Sequence, residues 1–411
     1  MKPVLLRAVF LALAALFLPI VTAQKPCSAL PLRGETLFQF NAPNQWIENV
    51  VERQNGDLLF TLAGPRAQVY LMKNPRGTTN PSVTLLHDFS AQIPGPNTTA
   101  QAGGPSVLVG IAEPRPDIFV TAGGLLTRQR ASVPGSWAVF ELAFQGQTDN
   151  VATRMISTLP GAEFPNGIVP VDDWASGETS AANYTSAVLI GDATRGQVYR
   201  VDTTTGNVST VVHGLPEMQP QSNGKPPFGI NGMKMRSGGR NGANTLWFDN
   251  SNERNFYTVA VRADGSGLVP NAQVDRVGSA ERVAPFVDDF DVESDGTIWA
   301  AGSFGNTLLV MDNTTGEAVV AAGSNTSLSV GGPTAVTLGR KAGDGVLYVV
   351  TSGAQGQPIN GTVQEPGKVL RFNISGYAAC KGGGRSGGGD GGPQPAGGDQ
   401  GPDIEIEEGP K

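Results

Sequence analysis

The chain has 411 residues, of which 39% are hydrophobic and 16% charged, with 55 Gly, 30 Pro and two Cys. That composition suits a turn-dense globular chain better than a helical or unstructured one, and no stretch carries helical periodicity long enough for a helical domain. A formal net charge of −7 without a basic cluster argues against nucleic acid or an anionic membrane as partner and leaves a small molecule as the expected ligand.

Residues 1–23 combine a basic start (Lys2, Arg7), an apolar middle from Ala8 to Leu18 and a Val21-Thr22-Ala23 end, the pattern of a cleaved secretory signal. No second apolar run reaches spanning length. Asn-X-Ser/Thr acceptors at Asn97, Asn183, Asn207, Asn313, Asn325, Asn360 and Asn373 fit a secreted, glycosylated product. Cys27 and Cys380 stand at the two ends of the strand-rich region, and in an oxidising compartment they are expected to form a disulfide rather than remain two separate thiols.

From there the chain repeats one pattern about six times, at intervals of roughly 45 to 65 residues. The first copy joins Trp46–Val51 to Asn55–Thr61, and the second joins Gly110–Ala112 to Asp117–Thr121. Phe164–Ile168 leads to Ala187–Gly191, and Phe228–Met233 leads to Thr245–Phe248. The clearest copy runs from Val287 through Asp295-Gly296 to Gly302 and on to Thr307–Asp312; Asp-Gly between two alternating runs is a strong hairpin signal. The last copy joins Gly332–Val336 to Gly345–Val350. Such a repeat predicts an all-β fold, a six-bladed β-propeller spanning residues 24–380. Glu35–Phe40 has the alternation of an outer strand and is expected to close the last blade beside Lys368–Phe372, which removes an exposed sheet edge. Residues 381–411 are Gly-rich and acidic, too poor in apolar side chains to form a core, and are expected to be disordered.

In a propeller the innermost strands begin near the axis, so their opening residues converge although they are far apart in sequence. Here those residues are Glu48, Asn49, Asn166, Asn231, Asp288 and Asp289, all oxygen-bearing. Such a set suits a hard divalent cation or a hydrogen-bonding floor for a polar substrate, while Asn-Gly and Asp-Asp are also ordinary turn residues. Trp46, Phe164, Phe228, Phe286 and Phe290 flank them and are candidates for an apolar substrate wall, or for packing between blades. His87 and His213 fall near outer-strand ends and read as surface residues, and no Gly-X-Ser-X-Gly elbow supports a serine hydrolase.

The order Glu48, Asn166-Gly167, Asn231-Gly232 and Asp288/Asp289 resembles the senescence-marker-protein/gluconolactonase superfamily of six-bladed propellers. That resemblance implies Glu48, Asn231 and Asp288 (or Asp289) as ligands of Ca²⁺ or another divalent cation, with Asn166 binding substrate and an Asp acting in lactone hydrolysis. The chain departs from the pattern at Asn49-Val50-Val51, where Gly-Pro is usual, and at Phe290, where Gly-Met is usual after the Asp; both departures count against metal-dependent hydrolysis.

The Phe228-Gly229-Ile230-Asn231-Gly232 segment with the secretory features is similar to extracellular fungal members that include hetero-Diels-Alderases of secondary metabolism. Those join a tropolone-derived quinone methide to a sesquiterpene alkene. The likeness implies a cofactor-free pericyclase, with Asn166, Asn231 and Asp289 as catalytic groups and Trp46, Glu48, Asn49, Phe164, Phe228, Phe286 and Phe290 holding substrate. A metal-dependent lactonase and a non-catalytic small-molecule-binding propeller are the alternatives.

Overall fold

A computed structural model describes residues 29–77, 81–95, 104–146, 148–172, 186–221, 226–238, 242–341 and 343–377. The leader, the tail, both cysteines, Asn97 and Asn183 lie outside the described residues. Six antiparallel sheets of four strands each stand around one axis. Their innermost strands are β2 (Ile47–Glu52), β6 (Ser106–Arg115), β10 (Pro165–Pro170), β14 (Ile230–Arg236), β18 (Phe290–Val292) and β22 (Pro333–Leu338). Each touches the innermost strands of both neighbours, and β22 returns to β2, so the ring is closed.

Closure follows the expected route. β1 (Gly34–Gln39) pairs antiparallel with β24 (Lys368–Asn373), Gly34 opposite Phe372 and Gln39 opposite Lys368, as the outermost strand of the last blade. The first strand of the chain therefore covers the edge that β24 would otherwise expose. The sequence hairpins also form where Asx-Gly pairs stand: Gly296 has φ 89°, a conformation that glycine enters without a Cβ penalty, and Thr297 N–H donates to Asp295 Oδ1 at 2.9 Å.

The apolar core separates into six clusters, each between two neighbouring blades; Trp137, Val188 and Ile190 share one, and Trp299, Leu347 and Phe372 share another. Inner and middle strands thus bury both faces, which is why they read as nearly continuous apolar runs. Outer strands such as Val151–Thr158 alternate between solvent and blade.

Two Asn-Gly pairs, by contrast, are not turns. Asn166-Gly167 and Asn231-Gly232 lie inside β10 and β14, each at an irregularity in the pairing register. A Cβ on Gly167 would come 2.1 Å from the Asn231 carbonyl oxygen, and one on Gly110 2.3 Å from that of Asn166. These glycines let adjacent inner strands approach at the axis, which is what draws the Asn side chains together. Gly167→Ala is expected to destabilise the fold by about 1–3 kcal/mol or more in urea titrations, since the clash is with backbone that cannot rotate away.

Candidate functional site

At the end of the axis where the inner strands begin, four of the predicted polar residues form a buried floor. Glu48 is 7% exposed and Asp288 8%. The Trp46 indole N–H donates to Glu48 Oε2 at 2.6 Å, and the Asn166 amide also hydrogen-bonds this carboxyl. Asn231 Nδ2 donates to Asp288 Oδ1 at 3.0 Å and to Ser251 Oγ at 2.9 Å, while Ser303 supplies a further hydrogen bond to Asp288. Burial pushes Glu48 up to about 7, against the opposing Trp46, Arg130 and Asn166 contacts, and the Asp289 charge adds to the rise. Burial and the neighbouring Glu48 charge hold Asp288 well above the usual carboxylate range. The two acids therefore retain a proton between them near neutrality.

Asn231 commits its amide nitrogen to Ser251 and Asp288 and is 1% exposed, so it orients the Asp288 carboxyl rather than reaching the mouth. Asn49 and Asp289 lie one residue further along their strands and bond each other, Nδ2 to Oδ2 at 2.9 Å. Asp289 Oδ1 also accepts from Lys234 Nζ at 2.9 Å and from the Phe290 N–H at 2.7 Å. Behind them Asp249 accepts from Gly232 N–H at 2.6 Å, its second oxygen is buried without a partner, and burial together with the Asp289 charge raises it well above the usual range. This lower layer is a braced set of acids around one ammonium, placed beneath the floor.

Above the floor the aromatic wall is present with one correction. Phe164 and Phe228 rings are 4.6 Å apart, Phe228 and Phe286 6.4 Å, and Phe286 stacks on Phe304 at 4.5 Å. Gly356 closes the arc: a Cβ there would meet Trp46 at 2.9 Å and Phe304 at 3.2 Å. The Arg130 guanidinium covers the Trp46 ring at 4.3 Å. Phe290, expected in the substrate wall, is instead fully buried between the fourth and fifth blades, edge-on to Phe256 at 5.2 Å. In an extended strand successive side chains alternate, and with Asp289 at the axis Phe290 points into the blade interface.

Phe304, Arg130, Ser251, Ser303, Lys234 and Asp249 were not legible as site residues. Phe304 offered one signal, an aromatic in the Gly302-Ser303-Phe304-Gly305 break of the clearest repeat. His213 is exposed, as its outer-strand position suggested, while His87, also in an outer strand, packs partly buried on Phe89. Beside the axial mouth, on the same face, a cavity of about 660 Å³ opens between the fifth and sixth blades and shares Phe304 with the aromatic arc.

No family model matches the chain. A protein from Phoma sp. provisionally named a hetero-Diels-Alderase is 28% identical over 350 residues, covering 81% of this chain and 91% of that protein. A second, provisionally named hetero-Diels-Alderase asR5, from Sarocladium schorii, is 29% identical over 337 residues, covering 75% of this chain and 76% of its own length. The chain resembles these two along most of its length. Among solved structures, a luciferin-regenerating enzyme aligns with TM-score 0.50 at 12% identity, covering 82% of this chain and 94% of that one, a likeness of fold alone.

The raised Glu48 has a consequence for stability. A carboxyl that binds its proton more tightly when folded favours the folded state at low pH and loses that contribution as pH rises from its ordinary 4.5 through about 7. In chelator-treated protein, Glu48→Gln should flatten the fall in melting temperature across that window, measured by calorimetry.

Proposed function

We propose that the protein is a secreted pericyclase, a hetero-Diels-Alderase that joins a quinone-methide heterodiene of tropolone type to a sesquiterpene alkene. The observation that carries this reading is the aromatic arc of Trp46, Phe164, Phe228, Phe286 and Phe304 standing over a proton-holding floor of Glu48, Asn166 and Asp288. The names of the two relatives agree with it. Secretion is supported by the exposure of the sequon residues Asn207, Asn313 and Asn373.

The cycloaddition forms one C–C and one C–O bond, breaks no σ bond and has no leaving group. Its barrier is largely one of bringing two partners together in register, and ideal preorganisation lowers such barriers by up to roughly 7–11 kcal/mol. The aromatic arc supplies the apolar walls for the two partners. As the C–O bond forms, the heterodiene oxygen gains negative character, and the protonated Glu48 with the Asn166 amide stabilises it by hydrogen bonding without completing a transfer. Asn231, Ser251 and Ser303 hold Asp288, and the Glu48–Asp288 pair shares the proton that serves as donor. No cofactor is required for this chemistry.

A lactonase reading has its own support. Glu48, Asn231, Asp288 and Asn166 gather two carboxylates and two amides at one point, a donor chemistry that fits Ca²⁺ or a similar hard cation, which would polarise a lactone carbonyl. A binding protein without turnover is the third reading. The test is to supply purified protein with a quinone-methide precursor and a sesquiterpene alkene, and separately with an aldonolactone, each with and without chelator. The pericyclase reading expects adduct formation above the uncatalysed rate that survives chelator. Chelator-sensitive lactone opening without adduct overturns it in favour of the hydrolase, and no turnover of either substrate leaves the binding protein.

A further inference from the structure

We infer that the cavity between the fifth and sixth blades is a second ligand compartment, selective for a neutral, sparingly oxygenated hydrocarbon such as a terpenoid alcohol, and that Phe304 is the partition between it and the axial mouth. Its volume of about 660 Å³ falls within the range, roughly 300–1,000 Å³, of pockets that enclose small organic ligands. Val283, Pro285, Phe304, Val320 and Ile359 give it apolar walls, and Asn306, Thr307, Ser324, Asn325, Gln357 and Asn360 give it about as much neutral polar surface. Among the described residues, no Lys, Arg, His, Asp or Glu lines it. A charged ligand would lose its hydration there and find no counter-charge, whereas a hydrocarbon with one hydroxyl or carbonyl would lose little.

A further observation ties the cavity to the axial site. Phe304 stacks on Phe286 of the axial arc and also lines the cavity, so this one ring borders both. A bimolecular addition needs room for two partners. The polar floor on the axis suits the heterodiene, and the uncharged side cavity suits the remote part of the alkene, an assignment of roles that rests on the pericyclase reading.

Binding, read separately from turnover, tests the compartment. The full chain is titrated by calorimetry with farnesol and with farnesyl diphosphate, which share a hydrocarbon and differ in charge. The variants are Val320→Trp and Gln357→Trp, two exposed positions that fill the cavity from different segments, and Asn166→Ala on the axis. Saturable farnesol binding is expected, weakened at least tenfold by whichever Trp variants keep the wild-type melting temperature and changed less than twofold by Asn166→Ala. The diphosphate should bind at least tenfold more weakly than the alcohol. Farnesol binding that is absent, or indifferent to the Trp substitutions, or lost with Asn166→Ala alone, overturns the inference, as does equal affinity for the diphosphate. Should the protein make no adduct at all while this pattern holds, the pericyclase reading falls and the compartment stands.

Discussion

Glu48→Ala is expected to lower the rate of adduct formation by about ten- to a thousandfold, the upper part of that range being the cost of removing one donor from an oxyanion hole. Glu48→Gln should lose less than about tenfold, because a neutral amide keeps a donor at the same place. The wild-type rate should fall as pH rises through about 7, where Glu48 gives up its proton, and the Gln variant should show no such fall. Single-turnover assays across pH 5–9, with folding checked by circular dichroism, provide the measurement. The pair of variants also separates the two enzymatic readings. A lactonase that needs the Glu48 carboxylate on a cation loses activity equally with Gln and Ala.

Lys234→Met should destabilise the propeller by about 3 kcal/mol, the lower end of the cost of breaking a buried ion pair. The lower end applies because the Lys234 side chain is 26% exposed while that of Asp289 is 8%. Burial alone would depress the Lys234 ammonium, but Asp289, Asp291 and Asp249 outweigh it and hold its affinity for the proton above the ordinary value. Without the ammonium, Asp289 keeps only the Asn49 amide and the Phe290 N–H as partners. The effect should shrink in acid, as the surrounding carboxyls take up protons, and should be largely reversed by adding Asp289→Leu. Urea titrations with an unchanged slope would show the loss to be one of stability rather than of compactness.

The architecture was legible because propeller strands bury both faces and turn at Asx-Gly pairs, as at Asp295-Gly296; Glu35–Phe40 was placed correctly as the closing outer strand, although a bulge between Thr36 and Phe38 breaks the alternation expected of it. The convergence of Glu48, Asn166, Asn231 and Asp288 was legible for a topological reason, since all open inner strands. What each does there was not. Whether Asn231 faces substrate or Ser251, and whether Asp289 faces the mouth or Lys234, depends on side-chain partners brought from other blades. Phe290 was misassigned because an aromatic beside a polar opening residue looks the same whether its strand parity sends it to the mouth or to the blade interface. Phe304 was missed because it sits in a short turn after a second strand, where no periodicity marks it.

In the proposed reaction the aromatic arc and its floor act together as a chiral template for bond formation. The enantiomeric ratio of the adduct, formed from an achiral quinone methide and alkene with and without the purified chelator-treated protein, tests this directly. A strongly one-handed adduct is expected with the wild-type protein and a ratio much nearer unity with Phe228→Ala, whose smaller side chain opens the arc between Phe164 and Phe286. An adduct from the wild-type protein with the same ratio as the uncatalysed reaction would contradict this role.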